Sequence, residues 1–191
     1  MKLVFATRNA GKLREARAIL GPGVELVSAE EATLPEVDET GETFEENAIL
    51  KARSACAAAG LPALADDSGL EVDALDKRPG VRSARYGGPG LDDRARCALL
   101  LRELASVPAE KRTARFVCAI ALAEPGGRVR VTRGTVEGRI ALTPSGDGGF
   151  GYDPLFIPDG FAESFGVLPE ETKNRLSHRA RALTAARAWL G

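Results

Sequence analysis

The stretch KLVFATRNAGKLREARAILGPGVELVS, residues 2–28, decides how this chain folds. KLVFAT (2–7) is apolar and rich in β-formers without clean alternation, the pattern of a strand buried on both faces. Leu13, Ala16, Ile19 and Leu20 then recur at helical spacing, and Gly21-Pro22 stops that helix. VELVS (24–28) reads as a second strand, which makes the opening a β-α-β unit. The turn TRNAGK (7–12) sits where the first strand hands over to the helix. A helix amino terminus presents unpaired N–H groups and the positive end of the dipole, a setting suited to phosphate. Within the run Thr7, Arg8, Asn9, Ala10, Gly11 and Lys12, Thr7 and Asn9 add short polar groups and Lys12 adds a mobile charge. The Walker spelling fails, because Ala6 stands at its first glycine and Leu13 follows the lysine. Alone, the turn is either a phosphate loop or an ordinary helix start.

Working outward, an acidic loop (30–42) precedes TFEENAILKARSACAAAG (43–60), a helix with Thr43 as N-cap, Glu46 at the third position and Gly60 past its end. LPALA (61–65) reads as a short strand ending at Asp66-Asp67 and a Ser68-Gly69 turn, after which LEVDAL (70–75) resumes extended structure. RPGVRSARYGGPG (78–90) carries too much glycine and proline for anything but loop. LDDRARCALLLRELASV (91–107) reads as a helix opened by Asp92 or Asp93. ARFVCAIALA, the turn EPGG and RVRVTRGTVEGRIAL predict a long hairpin over 114–142. A glycine-dense loop, SGDGGFGYDP (145–154), comes before a last helix in SHRARALTAARAWL (177–190), capped by Ser177. The expectation is an α/β protein with a mixed sheet, one domain over residues 1–191.

At 191 residues, 44% hydrophobic and 28% charged, the chain is long enough for a proper core and has the composition of a soluble globular protein. A net charge of −1 gives no field toward nucleic acid polymers or a membrane surface. No stretch approaches the ~18 apolar residues of a membrane span, and the amino terminus is too short for a signal peptide, so a cytoplasmic location is expected. Cys56, Cys97 and Cys118 form no CxxC pair, and Cys56 and Cys118, set among small apolar residues, are expected as buried thiols.

Carboxylates exceed what capping needs. Glu36, Asp38, Glu39, Glu42, Glu45 and Glu46 crowd one loop and helix start, and Asp66-Asp67 follow an apolar run. Side chains alternate along a strand, so one of those two aspartates should point into a site. Hard oxygen ligands without a His or Cys cluster suit Mg²⁺, which uses one or two carboxylates plus substrate phosphates. The single histidine, His178, excludes a multi-histidine zinc site, and no GxSxG elbow presents a serine nucleophile. Phe150 and Tyr152 in GGFGYDP either stack on a base or plug the core. Lys173, His178 and Arg179 bring cations to the start of the last helix, where they oppose the dipole unless an anion or electronegative group faces them.

Together, ATRNAGK, ETGETFEENAILKA, ADDSGLEVDAL, PGVRSARY, GGFGYDPLF and SHRARAL resemble, in order and over nearly the whole chain, the purine nucleoside triphosphate pyrophosphatases that hydrolyse ITP, dITP and XTP. That resemblance implies an elongated mixed α/β fold with two lobes around a nucleotide cleft, usually a homodimer. It implies Mg²⁺-dependent cleavage of a triphosphate to the monophosphate and pyrophosphate. By position, Thr7 to Lys12 match the triphosphate loop, Asp67 the catalytic acid and a metal ligand, Glu39 the second metal carboxylate, and Ser68 a substrate contact. Phe150, Gly151, Tyr152 and Asp153 match the base pocket, completed by Lys173, His178 and Arg179. The general base stays open between Asp67 and Asp66. A Maf-like pyrophosphatase and a nucleotide sensor without turnover are the competing readings.

Overall fold

The computed structural model describes residues 1–190 and holds one six-stranded mixed sheet, in the order β2-β1-β3-β4-β5-β6. β1 (Lys2–Phe5) pairs in parallel with β2 (Glu25–Ser28) and with β3 (Ala63–Val72); β4 (Thr113–Ala123), β5 (Val129–Ile140) and β6 (Phe156–Pro158) continue antiparallel. Helices α1 (Ala10–Leu20), α2 (Phe44–Ala59), α3 (Asp93–Glu103), α4 (Glu170–Leu176) and α5 (His178–Ala186) complete the architecture.

Alternation along the strands sorts the core. Ala63, Ala65, Val117, Ala119 and Ala121 pack with Ala48, Ala52 and Ala55 of α2, whereas Leu64, Cys118, Ile120 and Leu122 pack with α1 and α5. A third cluster, with Leu70, Phe116, Tyr152 and Phe156, fills the far end against α3. Each large side chain taken fully from water, such as Leu3, Phe5 or Leu64, contributes about 1.5–3 kcal/mol.

The helix ends follow the expected chemistry. Thr43 and Glu46 form a reciprocal capping box, Gly60 ends α2 in the left-handed region, and Asp92 rather than Asp93 caps α3. Asn9 caps α1 by accepting the Lys12 N–H at 3.0 Å.

Three expectations are corrected. LPALA does not stop at the aspartates: β3 is one ten-residue strand, because residues 63–72 all pair with β4, Asp66 opposite Ile120 and Asp67 opposite Ala119. Residues 80–85 form a 3₁₀ turn, tied down where Ser83 Oγ accepts the Leu70 N–H at 2.9 Å and donates to the Gly80 carbonyl at 2.7 Å. Residues 170–176 form a helix of their own, and the last helix is shorter than its sequence suggests, giving way to a 3₁₀ turn at Arg187–Trp189.

The β1-α1-β2 and β2-α2-β3 connections lie on opposite faces of the sheet, so the strand order reverses beside β1. In open α/β sheets that point leaves a crevice at the strand carboxyl ends, and TRNAGK occupies it here.

Candidate active site

Adjacent residues of β3 face opposite sides, and the two aspartates do so in different company. On the α1/α5 side, the carboxylate of Asp66 is fully buried. It accepts from Arg179 Nε at 2.8 Å, from Cys118 Sγ at 2.9 Å, from Ser68 Oγ at 3.2 Å and from the Lys12 ammonium. Burial opposes its ionisation, but Arg179 and Lys12 prevail and hold its pKa well below the carboxylate range. From there the ion pairs continue. Arg179 also pairs with Glu15, Glu15 meets Lys173 Nζ at 2.6 Å, and Lys173 meets Asp153 at 2.5 Å. Asp153 in turn accepts the Phe150 amide at 2.8 Å. Three cations and three carboxylates thus alternate from the phosphate loop to the glycine loop with their charges matched.

On the α2 side, Asp67 faces Lys51, whose ammonium lies 2.8 Å from its carboxylate and 2.6 Å from Glu39, with Asn47 Nδ2 3.3 Å away. Burial raises the Asp67 pKa; Lys51 opposes that rise and Glu39 adds to it. The Lys51 ammonium is held charged against its burial by Asp67 and Glu39. Glu39, also burdened by burial, is kept low by Lys51, Lys12 and Arg85.

Among the described residues no group of three His, Cys, Asp or Glu side chains converges as a metal cage. Glu39 and Asp67 nevertheless meet at one cationic position, the lysine ammonium. Two carboxylates and no softer donor are the protein share that Mg²⁺ takes when phosphates supply the rest, so this pair fits that ion.

Two cavities adjoin here. One, about 350 Å³, is lined by Thr7, Arg8, Asn9, Lys12, residues 34–39, Lys51 and Asp66. The other, about 110 Å³, lies between Phe150, Tyr152, Phe116, His178 and Arg96. Asn9, Lys12 and Ala84 line both, so the two form the ends of one cleft. The ends are locked together at Gly11: a Cβ built there would lie 2.5 and 2.8 Å from the Phe150 ring, so only glycine lets that ring rest on the phosphate loop. The Lys173 ammonium sits 4.6 Å from the same ring's centroid.

Thr7, Arg8, Asn9, Lys12, Glu39, Ser68, Phe150, Gly151, Tyr152, Asp153, Lys173, His178 and Arg179 border the cleft, whereas Ala10, Gly11 and Asp67 do not line either cavity. Tyr152, however, belongs to the far core cluster and donates its hydroxyl to the Ser83 carbonyl at 2.8 Å, so it is a wall and not a free stacking platform. Lys173 and Arg179 are not solvated cations. Arg179 is 1% exposed, and Glu15 and Asp66 are the anions that its place in the first turn of α5 called for. His178 is buried, stacks on Phe116 at 4.8 Å, and has no partner at Nδ1; burial and then Arg179 and Lys173 drive its pKa well down, so it is neutral.

Sequence reasoning missed Glu15, Lys51, Asn47 and Ser83. A signal existed for three of them: Glu15 beside Ala16 in α1, and Asn47 and Lys51 beside Ala48 and Ala52 in α2, are polar groups one position from buried alanines. A solvated helix face has no need of them there.

The chain is similar to known proteins along its whole length. A curated protein of Geobacter sulfurreducens named dITP/XTP pyrophosphatase is 55% identical over 192 residues, covering 100% of this chain and 96% of that protein. Another of the same name from Exiguobacterium sibiricum is 50% identical, covering 100% and 97%. The solved structure of a HAM1 protein from Coxiella burnetii superposes with a TM-score of 0.90 at 39% identity, covering 100% of this chain and 98% of that one. The Staphylococcus aureus Ham1 protein gives 0.88 at 40%, covering 100% and 98%. The Ham1 family profile matches residues 3–189, and the chain belongs to the Ham1 family.

Proposed function

We propose that this protein hydrolyses purine nucleoside triphosphates bearing hypoxanthine or xanthine, ITP, dITP and XTP, to the monophosphate and pyrophosphate. One observation carries the reading: a single cleft has a glycine-lysine helix start and a two-carboxylate cation position at one end and an aromatic cavity at the other. The similar proteins of Geobacter and Exiguobacterium bear the corresponding name.

In this reading the first-turn amides of α1 and Lys12 hold the polyphosphate, and Thr7, Arg8 and Asn9 frame it. Glu39 and Asp67 would hold Mg²⁺, which supplies charge neutralisation on phosphate oxygens. Water attacks phosphorus, the bond between the α- and β-phosphates opens, and pyrophosphate leaves with the bridging oxygen. The water's proton goes to Asp67. Asp66 is unsuited to that role, since Arg179 and Lys12 hold its carboxylate well below the usual range and occupy its oxygens. The expectation of a homodimer is carried forward with this proposal, and light scattering on the purified protein tests it.

The assay offers ITP, dITP, XTP and the four standard triphosphates with Mg²⁺ and measures pyrophosphate against orthophosphate. Pyrophosphate from the hypoxanthine and xanthine substrates, with little from ATP and GTP, is expected. Turnover confined to other modified nucleotides would point to the Maf-like activity, and binding without turnover to a sensor.

A further inference from the structure

Four cations border the base cavity: Lys12, Lys173, Arg179 and Arg96. The first three are occupied by the buried carboxylates of Asp66, Glu15 and Asp153. Arg96 differs. Its Nε is buried without a hydrogen-bond partner, and its nearest carboxylate, Asp93, lies at 3.6 Å, beyond good hydrogen-bonding distance. The other oxygen of Asp93 already accepts the Gly151 amide at 2.7 Å. Arg96 also stands one turn into α3, near the positive end of that helix, where a guanidinium is unfavourable unless an electronegative group faces it, and Asp93 does so only at 3.6 Å. A largely enclosed donor with no protein acceptor, lining a cavity, marks where a ligand acceptor belongs.

We propose that Arg96 is a specificity-determining residue that reads position 2 of the purine and selects a 2-oxo group. The inference rests on the reading of this cavity as a base site. Positions 2 and 6 flank N1 on one edge of the base, so groups on α3 and on α5 that line one cavity can each meet one of them. An arginine only donates. It pairs with the 2-oxygen of xanthine, is indifferent to the C–H of hypoxanthine, and confronts the 2-amino donors of guanine. That last conflict supplies what recognition of the 6-oxygen cannot, because guanine carries the 6-oxygen too.

Calorimetric binding of XMP, IMP and GMP to wild type, Arg96→Ala and Arg96→Gln tests this without any need for turnover. The expected result is that Arg96→Ala weakens XMP about tenfold relative to IMP, the scale of one lost polar contact to a ligand. Arg96→Gln, whose amide oxygen accepts from a 2-amino group, should raise GMP affinity relative to IMP. An unchanged XMP to IMP ratio in Arg96→Ala, or a wild type with no XMP preference, overturns the proposal. Loss of turnover on every triphosphate with the XMP preference intact sinks the hydrolase reading and leaves this one standing.

Discussion

The two faces of β3 carry adjacent aspartates under opposite physical regimes. Asp66, on the α1/α5 face, is saturated: two cations, a thiol and a hydroxyl occupy it and keep it ionised. Asp67, on the α2 face, shares a single lysine with Glu39, and burial raises its pKa. Matched charge makes the first face a scaffold. Incomplete pairing leaves the second as the face on which the proposed reaction rests. A buried ion pair adds little to stability over an apolar replacement, yet losing one partner costs a great deal: Lys51 keeps Glu39 if Asp67 is lost, whereas two cations, Arg179 and Lys12, lose a partner if Asp66 is lost.

The largest expected effect is on the Asp67 face. Asp67→Asn should lower turnover of ITP by about 10²–10⁴-fold while leaving the melting temperature equal or higher. The sign follows from the raised pKa. Ionised Asp67 is less favourable in the folded than in the unfolded chain, so its contribution to stability is present below the unfolded pKa and lost as pH rises through the folded one. A variant keeping more than about a tenth of wild-type activity would place the base elsewhere.

Asp66→Ala inverts that pattern. Arg179 and Lys12 lose their shared carboxylate inside the protein, and urea denaturation should show a loss of about 3–5 kcal/mol. Equal stability of the two variants would erase the distinction between the faces.

A smaller effect sharpens the comparison through pH. His178 lies beside the saturated network with its pKa driven well down, so the unfolded chain binds a proton that the folded one refuses. Its contribution is complete above the unfolded pKa of about 6.5 and fades as pH falls below it, by up to about 1.4 kcal/mol per pH unit. Asp67 and Asp153, with raised pKa values, act in the opposite sense, so the readout is the difference in pH dependence between wild type and His178→Gln. Parallel stability curves for the two proteins would contradict the neutral, buried histidine.

Much of the fold was legible because its signals are local. Leu13, Ala16, Ile19 and Leu20 announced α1, and the Thr43–Glu46 box announced the start of α2. β3 was read too short, because two aspartates and a glycine depress local strand propensity while β4 supplies partners to all ten residues. The roles of Lys173 and Arg179 were also illegible. Their carboxylates, Glu15 and Asp66, lie far away in sequence, and no spacing rule joins them. Tyr152 looked like a loop aromatic until Ser83 appeared as its partner across 69 residues.

By itself, the sequence determined the order from β1 to β5 and the last helix, the capping box of α2, the glycine-lysine turn at the end of β1 and the order of motifs that marks the family, but not β6, α4 or the Asn9 cap. Tertiary structure alone decided which of two neighbouring aspartates is saturated with partners and which shares a single lysine with Glu39. Alternation along a strand sends adjacent side chains to opposite faces, but what waits on each face is fixed by helices packed from distant parts of the chain. A carboxyl's pKa depends on those neighbours and on burial, and neither is written in the residues beside it.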